Sequence, residues 1–463
     1  MDEQNAHQEM DTPQQYESKK ELAVQEFSEI IKHRTSGTSV AIGGKKTSNL
    51  FRDRAQGSIH KLNLGNLNRV VSVDPTNRIA YVEGMTTYEE LVKQTLPYNL
   101  MPTVVPELKS ITVGGAVTGV GIEATSFRYG FVHETVQEME ILCGDGIVRT
   151  CSPNNENRDL FFGFPNSYGT LGYALILAVA LIPIKKYVHV THSSFTDPAL
   201  FFDSIKDVCN RSGKSHDVVD FIDGVAFDRG VYYLSIGQFV DTAPQVSNYT
   251  YMGIYYRSIL QKKEDYLTTH DYIWRWDTDW FWCSRVFGAQ NPLIRFLATP
   301  RLLRSTTYWK IKKLATQYKI TNLLSAINGK RESIIQDVEI PIEHAPEFMD
   351  FFHREIGIKP VWTCPTTPSE NIFSLFAVKP KQLYINFGFW DSVASEKEEG
   401  HYNRLIENKV KELGGKKSLY SSSYYPENEF WQLYNKKDYD ALKTKYDPKG
   451  MFKNLYQKCV KRG

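Results

Sequence analysis

The sequence lacks any apolar run long enough to span a bilayer. Its longest such stretch, residues 173–184, contains Pro183 near its end and falls short of the about 20 residues that a membrane helix needs. Residues 1–20 are polar and rich in Gln, Glu and Asp, with no basic region leading into an apolar one. We therefore predict no transmembrane segment, no signal peptide and a cytoplasmic location.

Disulfide frameworks, metal-binding spacing and an excess of one charge are also absent. The six cysteines form no Cys-x-x-Cys pair, and the 11 histidines form no His-x-His or His-Glu-x-x-His pattern. Free thiols in a reduced compartment, with no metal site, fit this composition best. A net charge of only +2 gives no reason to expect nucleic acid as a partner.

Glycine, by contrast, is concentrated in one stretch, residues 106–130. The stretch contains Gly114, Gly115, Gly119 and Gly121 and closes on Gly130. Because glycine weakens helices and strands alike, so many glycines are difficult to explain as an ordinary packed element. Glycine allows close backbone approach and exposes N–H groups, which suits a flat, phosphate-bearing cofactor. We therefore expect a nucleotide cofactor held by main-chain atoms.

Two further glycine loops point the same way. A strand over residues 38–42 enters the loop Gly-Gly-Lys-Lys-Thr at 43–47, which can cradle phosphate although it lacks the Walker spacing. A third loop, Gly-Thr-Leu-Gly at 169–172, opens a buried strand. Turn formation alone would explain the glycines of one such loop, but it does not explain three loops in this order. Residues 119–124 fit Gly-x-Gly-x-x-Ala, yet no long helix follows them, so we reject a Rossmann fold.

The order of these loops resembles a known cofactor domain. Gly-Gly-Lys-Lys-Thr at 43–47, Thr-Val-Gly-Gly at 112–115, Gly-Asp-Gly at 144–146 and Gly-Thr-Leu-Gly at 169–172 follow one another. This succession resembles the FAD-binding domain of the vanillyl-alcohol-oxidase or PCMH type. Within that superfamily, four short motifs make the chain similar to the delta-24 sterol reductases: Val-Pro-Glu-Leu at 105–108, Gly-Ile-Glu at 121–123, Val-Trp-Thr-Cys-Pro at 361–365 and Glu-Phe-Trp at 429–431.

The resemblance implies an α+β fold in two domains. Residues 1–20 are expected to be a disordered tail. Residues 21–186 would form a two-lobed PCMH-type FAD-binding domain. Residues 187–463 would form a substrate or cap domain with an antiparallel sheet, which covers the isoalloxazine ring.

The resemblance also implies non-covalent FAD, because lysines stand where covalently flavinylated relatives commonly carry a histidine. The first loop would bind the pyrophosphate, the second would face the ring and the third would lie at the adenine. The predicted cofactor-binding residues are Gly43, Gly44, Lys45, Lys46, Thr47, Thr112, Val113, Gly114, Gly115, Thr118, Gly119, Gly121, Ile122, Gly130, Gly169 and Gly172.

The reaction that the resemblance implies is reduction of a C=C bond in a sterol or isoprenoid side chain, with NADPH as electron donor. Such a reaction needs a hydride from the flavin and a proton from an acid. Candidate acids are Asp337, Tyr384 and Tyr420. Strand alternation puts Asp337 and Glu339 on one face, where burial would raise the pKa of a carboxyl, although an exposed sheet fits the pattern equally well. The superfamily pattern alone also fits an FAD-linked oxidase or dehydrogenase of a sugar, polyol or lactone alcohol.

An aromatic segment at residues 272–304 leaves its role open. Half of the eight tryptophans lie within residues 274–282, interleaved with arginines. Trp and Arg together suit a membrane–water interface, or a lid over a lipid-shaped cavity. A core packing role is equally compatible. If the segment forms an interface or a lid, it predicts peripheral membrane contact and a small lipid-like substrate. A lipid-binding protein with a vestigial flavin is a third possibility.

Overall fold

A computed structural model of the chain describes residues 10–35, 37–44, 51, 59–212, 219–317 and 329–460. Within these ranges no helix is both long and apolar enough to cross a membrane. The helices, α1 to α15, are Pro13–His33, Tyr88–Thr95, Val113–Gly119, Ser126–Tyr129, Arg158–Gly163, Pro198–Arg211, Tyr255–Ile259, Thr269–Ile273, Pro292–Leu302, Ser305–Gln317, Ala345–Glu355, His401–Glu412, Glu427–Leu433, Lys436–Tyr446 and Leu455–Cys459. The strands, β1 to β16, are Ser39–Gly43, Ile59–Asn63, Val70–Asp74, Ile79–Glu83, Leu100–Pro102, Val136–Cys143, Val148–Cys151, Gly172–Pro183, Tyr187–Phe195, Phe221–Asp228, Val231–Val240, Glu264–Thr268, Arg331–Pro341, Val361–Thr366, Tyr384–Ala394 and Lys416–Lys417.

The first part of the chain is built around the long strand β8. The sheet runs in the order β3-β4-β8-β6-β7, and β5 adds to β8, while β1 and β2 form a separate parallel pair. The sequence of β8 is almost entirely apolar, which is typical of a strand that is covered on both faces. The strand pairs Val82 with Leu177, and both side chains are fully buried. The short helix α3 lies against β8, and the short helix α2 lies against β3 and β5.

The later part of the chain forms a second, larger antiparallel sheet, as expected for the α+β class. Its order is β12-β9-β11-β10-β14-β15-β13-β16, and it begins at Tyr187, just after β8 ends. Helices α6, α11 and α12 cover one face, where Phe348, Phe352 and Phe387 form part of a tight apolar core. The opposite face contributes Trp362 and Val225 to the core shared with the first sheet. This face therefore positions side chains between the two sheets.

The N-terminal segment differs from its prediction as a disordered tail. Residues 13–20 form the first turns of α1, which Thr12 caps by accepting a hydrogen bond from the Gln15 N–H. Tyr16 is buried and donates a 2.6 Å hydrogen bond to Glu140. The helix thus extends because its polar sequence finds partners on the first sheet, which local sequence does not reveal. Residues 1–9 lie outside the described ranges.

The last helices return to the first part of the chain. Tyr446 on α14 donates a 2.6 Å hydrogen bond to Asp159, and the Phe452 ring stacks on Phe27 at 5.8 Å. The amide of Val40 donates to the carbonyl of Met451 at 2.8 Å. The division of the chain near residue 186 stays a prediction, which the change of sheet at Tyr187 supports.

Candidate active site

The glycine-rich stretch forms a short helix, α3, with one bare face. Thr112 caps the helix, since its hydroxyl accepts a hydrogen bond from the Gly115 N–H at 3.3 Å. Val113 and Val117 point into the core and are fully buried. Residues three and four positions apart share one side of a helix, and the side of α3 that is turned away from the core carries almost no side chain. We name it the glycine face, and it consists of Gly115, Thr118 and Gly119.

Close backbone packing explains why a helix this rich in glycine forms. A Cβ atom on Gly114 would lie 2.7 Å from the carbonyl oxygen of Gly84, and one on Gly84 would collide with the carbonyl oxygen of Ala174 on β8. The Gly114 N–H donates to that same Gly84 carbonyl at 3.0 Å. Gly114 therefore serves helix-on-sheet packing, whereas Gly115 is exposed and accessible to a cofactor.

Other predicted cofactor residues have packing or turn roles in the structure. A Cβ on Gly121 would lie 2.9 Å from Val132, and one on Gly172 would lie 2.6 Å from the carbonyl oxygen of Leu142. Gly130 ends α4 with a φ of 71°, a conformation that glycine favours. Ile122 is almost fully buried. A direct role of these residues in cofactor binding stays a prediction.

The first glycine loop begins where β1 ends. Gly44 has a φ of 73°, and a Cβ on it would collide with the side chain of Asn63 beside β2, so glycine is required there. Lys45, Lys46 and Thr47 lie outside the described residues. Phe51 follows this loop, and its N–H donates to the carbonyl of Tyr420 at 2.9 Å. The chain after the loop therefore contacts the later part of the molecule.

The third glycine loop lies against the end of α3. Tyr168 donates a 3.3 Å hydrogen bond to the carbonyl of Gly119. Asn166, Tyr168 and Gly169 all have positive φ values, which is uncommon for residues other than glycine. Within the described part of the chain, the buried Asn166 Oδ1 and Ser167 Oγ have no hydrogen-bond partner. Unpaired buried polar atoms beside a bare helix face are what a polar ligand would satisfy.

Opposite this loop, the larger sheet carries a hydrogen-bonded carboxyl group. Asn386 Nδ2 donates to Asp337 Oδ1 at 3.0 Å, and the Tyr420 hydroxyl donates to the same carboxyl. Trp390 Nε1 in turn donates to the Tyr420 oxygen at 3.0 Å. The Tyr168 hydroxyl, which bonds to Gly119 at the end of α3, lies close enough to add to the raised pKa of Tyr420, so the Asp337 carboxyl and this end of α3 belong to one region of the molecule. We name these four residues the Asp337 group: Asp337, Asn386, Tyr420 and Trp390.

Burial determines the acidity of the Asp337 group. It raises the pKa of Asp337 to about 6, although hydrogen bonds from Asn386 and Tyr420 favour the ionised form. Burial also raises the pKa of Tyr420 well above its usual range. As the alternation predicts, Glu339 shares the Asp337 face, and it is 3% exposed rather than open to water. Gln336 lies on the opposite face, bonded to Asn403.

The third candidate acid lies apart from this group. Tyr384 begins β15, and its hydroxyl oxygen accepts a hydrogen bond from the Lys379 N–H at 3.1 Å. The hydroxyl also lies 3.4 Å from Gln382 Oε1, within the same turn. The structure therefore brings Asp337 and Tyr420 together and leaves Tyr384 with local partners.

Comparison with known proteins identifies the class. A model described as FAD binding domain matches residues 22–152. Delta(24)-sterol reductase of Homo sapiens is 27% identical over 428 residues, which cover 87% of this chain and 78% of that protein. The Arabidopsis thaliana Delta(24)-sterol reductase is 24% identical over 441 residues, with 87% and 76% covered. The chain is an FAD-dependent oxidoreductase.

The described residues of the oxidoreductase fit an FAD molecule. The glycine face offers a flat surface without bulky side chains, and the unpaired Asn166 and Ser167 offer polar partners beside it. Thr112 orients the first amides of α3, although a helix this short adds little through its dipole. The Asp337 group stands on the sheet that faces this region. The arrangement thus offers a surface that suits a flat cofactor and, separately, a carboxyl with a raised pKa.

A buried ionic cluster of the oxidoreductase was missed by sequence reasoning. Arg275 Nη2 lies 2.9 Å from Glu123 Oε1 and 2.8 Å from Asp223 Oδ2, and all three are buried. Glu107 is buried nearby, and burial raises its pKa well above the usual range, with Glu123 and Asp337 adding to the effect. The motifs Val-Pro-Glu-Leu and Gly-Ile-Glu contain both glutamates. Neither motif predicts the cluster, because Arg275, which pairs with Glu123, lies 152 residues further along the chain.

The aromatic segment of the oxidoreductase belongs to the core. Trp274, Trp276 and Trp282 are at most 1% exposed, and Trp280 is 6% exposed. The acidic residue Asp277 within the segment accepts hydrogen bonds from the Lys109 N–H at 2.9 Å and from the Ser305 hydroxyl at 2.6 Å. Of the two alternatives, the tryptophans therefore take the core role and not the interfacial one.

Proposed function

We propose that this oxidoreductase reduces a C=C bond in the side chain of a sterol or another isoprenoid, with NADPH as the electron donor. The similarity to Delta(24)-sterol reductases over 87% of the chain supports the substrate class. The observation that carries the chemistry is Asp337, a carboxyl with a raised pKa that accepts hydrogen bonds from Asn386 and Tyr420 on the face of the larger sheet that its helices do not cover. We propose Asp337 as the acid and Tyr420 as the residue that positions it.

The proposed reaction divides between cofactor and protein. Bound FAD supplies hydride chemistry, which converts one alkene carbon to a C–H bond. The neighbouring carbon needs a proton, and we assign its delivery to the Asp337 carboxyl. The carboxylate that remains is stabilised by donors from Asn386 and Tyr420 until it takes a proton back from water.

The surroundings of the Asp337 group favour an apolar substrate over a sugar or polyol. The Trp390 ring stacks on Phe281 with centroids 4.2 Å apart, and Tyr420 meets the Phe51 ring edge-on at 5.8 Å. Aromatic walls bind hydrocarbon well but leave the hydroxyls of a polyol without partners. Because such a substrate resides in lipid bilayers, the proposal includes peripheral contact with a membrane from the cytoplasmic side, through part of residues 272–304.

Anaerobic stopped-flow absorbance tests this proposal in two halves. FAD-loaded protein is first mixed with NADPH, which is expected to bleach the flavin. The reduced enzyme is then mixed with a Delta(24)-unsaturated sterol, which is expected to restore the oxidised spectrum. The proposal fails if NADPH leaves the flavin oxidised, or if a polyol bleaches the flavin rapidly without any nicotinamide.

A further inference from the structure

Helix α9 is oriented with Arg295 facing inward. Arg295 is 1% exposed, and it forms a two-pronged ion pair with Asp279, with distances of 2.7 and 2.9 Å. Its guanidinium also donates to the carbonyl of Gly253 at 2.8 Å. A paired and fully hydrogen-bonded arginine of this kind is costly to expose or to leave without its partner. The inner side of the helix is therefore determined by these contacts.

The outward side of α9 is apolar. Leu293 is 66% exposed, Phe296 is 63% exposed and Leu297 is 69% exposed. Helical spacing puts Leu293 and Leu297 on the side opposite Arg295, with Phe296 on the flank between them. An amphipathic helix of a water-facing surface shows the reverse arrangement. We name the exposed set the apolar patch, and it consists of Val286, Leu293, Ile294, Phe296 and Leu297.

The charge around the apolar patch is positive. Residues 280–330 contain no Asp or Glu but include nine Lys and Arg residues, of which Arg285, Arg295 and Arg304 pair with carboxylates outside this range. Arg301 and Lys310 are exposed, and neither pairs with a carboxylate among the described residues. A contiguous apolar surface beside basic side chains is the combination that binds at the interface of an anionic bilayer.

From this arrangement we infer that the apolar patch docks the enzyme on a membrane that contains anionic lipid. A second copy of the chain is the main competing occupant. In a two-fold dimer each patch would face its own copy, so that the basic side chains would face one another. Phosphate headgroups instead complement Arg301 and Lys310, while the patch enters the acyl boundary.

A row of aromatic rings leads from this surface to the Asp337 group. Centroids lie 5.3 Å apart from Phe287 to Tyr308, 6.4 Å from Tyr308 to Trp280, and 5.7 Å from Trp280 to Phe51. Phe51 then meets Tyr420 at 5.8 Å. The membrane would thus supply a lipid substrate along an apolar wall, and this step of the inference rests on the proposed function.

Vesicle flotation of the full-length, FAD-loaded protein tests the docking surface. The probes are vesicles of phosphatidylcholine alone and of phosphatidylcholine mixed with phosphatidylserine. Phe296→Ser and Leu297→Ser are each expected to weaken binding about tenfold. Arg301→Ala is expected to weaken binding about fivefold, and only to the anionic vesicles. Leu200→Ser is the matched control, because Leu200 is also 63% exposed but lies on α6, and it should float like the wild type.

The inference is overturned if the wild type floats with neither vesicle, or if the patch variants float as well as the Leu200→Ser control. Light scattering tests whether a second copy of the chain occupies the apolar patch instead. A wild-type dimer that Phe296→Ser converts to a monomer, without vesicle binding by either, would assign the patch to a second copy. Flotation requires no turnover, so vesicle binding can be interpreted even if the proposed reaction does not occur. Bleaching of the flavin by NADPH in each variant tests that reaction separately.

Discussion

Asp337→Asn is expected to slow the reaction with the sterol without destabilising the fold. The folded state holds the Asp337 proton more tightly than the unfolded state, because burial raises its pKa from 3.8 to about 6. Ionisation therefore costs stability as the pH rises through this interval, fully so above about pH 6 and not at all below about pH 4. At about 1.4 kcal/mol for each pKa unit, the cost is at most about 3 kcal/mol. Partial solvent screening lowers it further.

The variant should consequently be more stable than the wild type at about pH 8 and similar to it near pH 4. Asn keeps one acceptor oxygen but leaves either Tyr420 or Asn386 without its partner, which reduces the gain. Loss of a general acid should slow reoxidation of the reduced flavin by the sterol about 100- to 10,000-fold. Reduction of the flavin by NADPH should be unchanged, because it does not use this proton.

Urea unfolding at two pH values and anaerobic stopped-flow absorbance measure these effects together. Asp350→Asn is the control, since Asp350 is an exposed carboxylate on α11 that lies outside the site. The reasoning is refuted if Asp337→Asn lets the sterol reoxidise the flavin at the wild-type rate. Equal losses in both half-reactions would instead indicate a damaged cofactor site.

Three other changes test separate parts of the structure. The rate at which the sterol reoxidises the reduced flavin should fall about tenfold for each pH unit above 6. Tyr420→Phe should move that decline to higher pH, because it removes a donor that favours the ionised Asp337. Loss of activity at every pH would make Tyr420 itself the acid. Gly115→Leu should abolish FAD binding, measured by flavin fluorescence, without lowering the melting temperature, whereas Gly114→Ala should destabilise the fold through its contact with Gly84. Arg275→Met should lower the free energy of unfolding by about 3–5 kcal/mol in urea titrations, because it leaves two buried carboxylates unpaired, and an unchanged midpoint would contradict the role of the ion pair.

Local sequence was sufficient for the class of the protein and for part of its site. The glycine loops predicted a nucleotide cofactor held by the main chain, because close backbone approach requires glycine, and their order resembles that of an FAD-binding domain. Alternation along β13 placed Asp337 and Glu339 on one face, since the two-residue period of a strand is a local property. These features depend on the residue and its immediate neighbours only.

Tertiary structure decided the features that depend on partners distant in the chain. Gly114 and Gly115 look alike in the sequence, but only the approach of Gly84 makes one a packing residue and leaves the other accessible. The hydrogen bond between Tyr420 and Asp337 likewise depends on the pairing of β13 with β16, because Asp337 lies on β13 and Tyr420 lies in the loop after β16. The sequence of α9 has an apolar side and an arginine, and local rules would turn the apolar side inward. The buried Asp279 holds Arg295 inward instead, because an arginine without its partner inside the protein would leave an unpaired charge out of water.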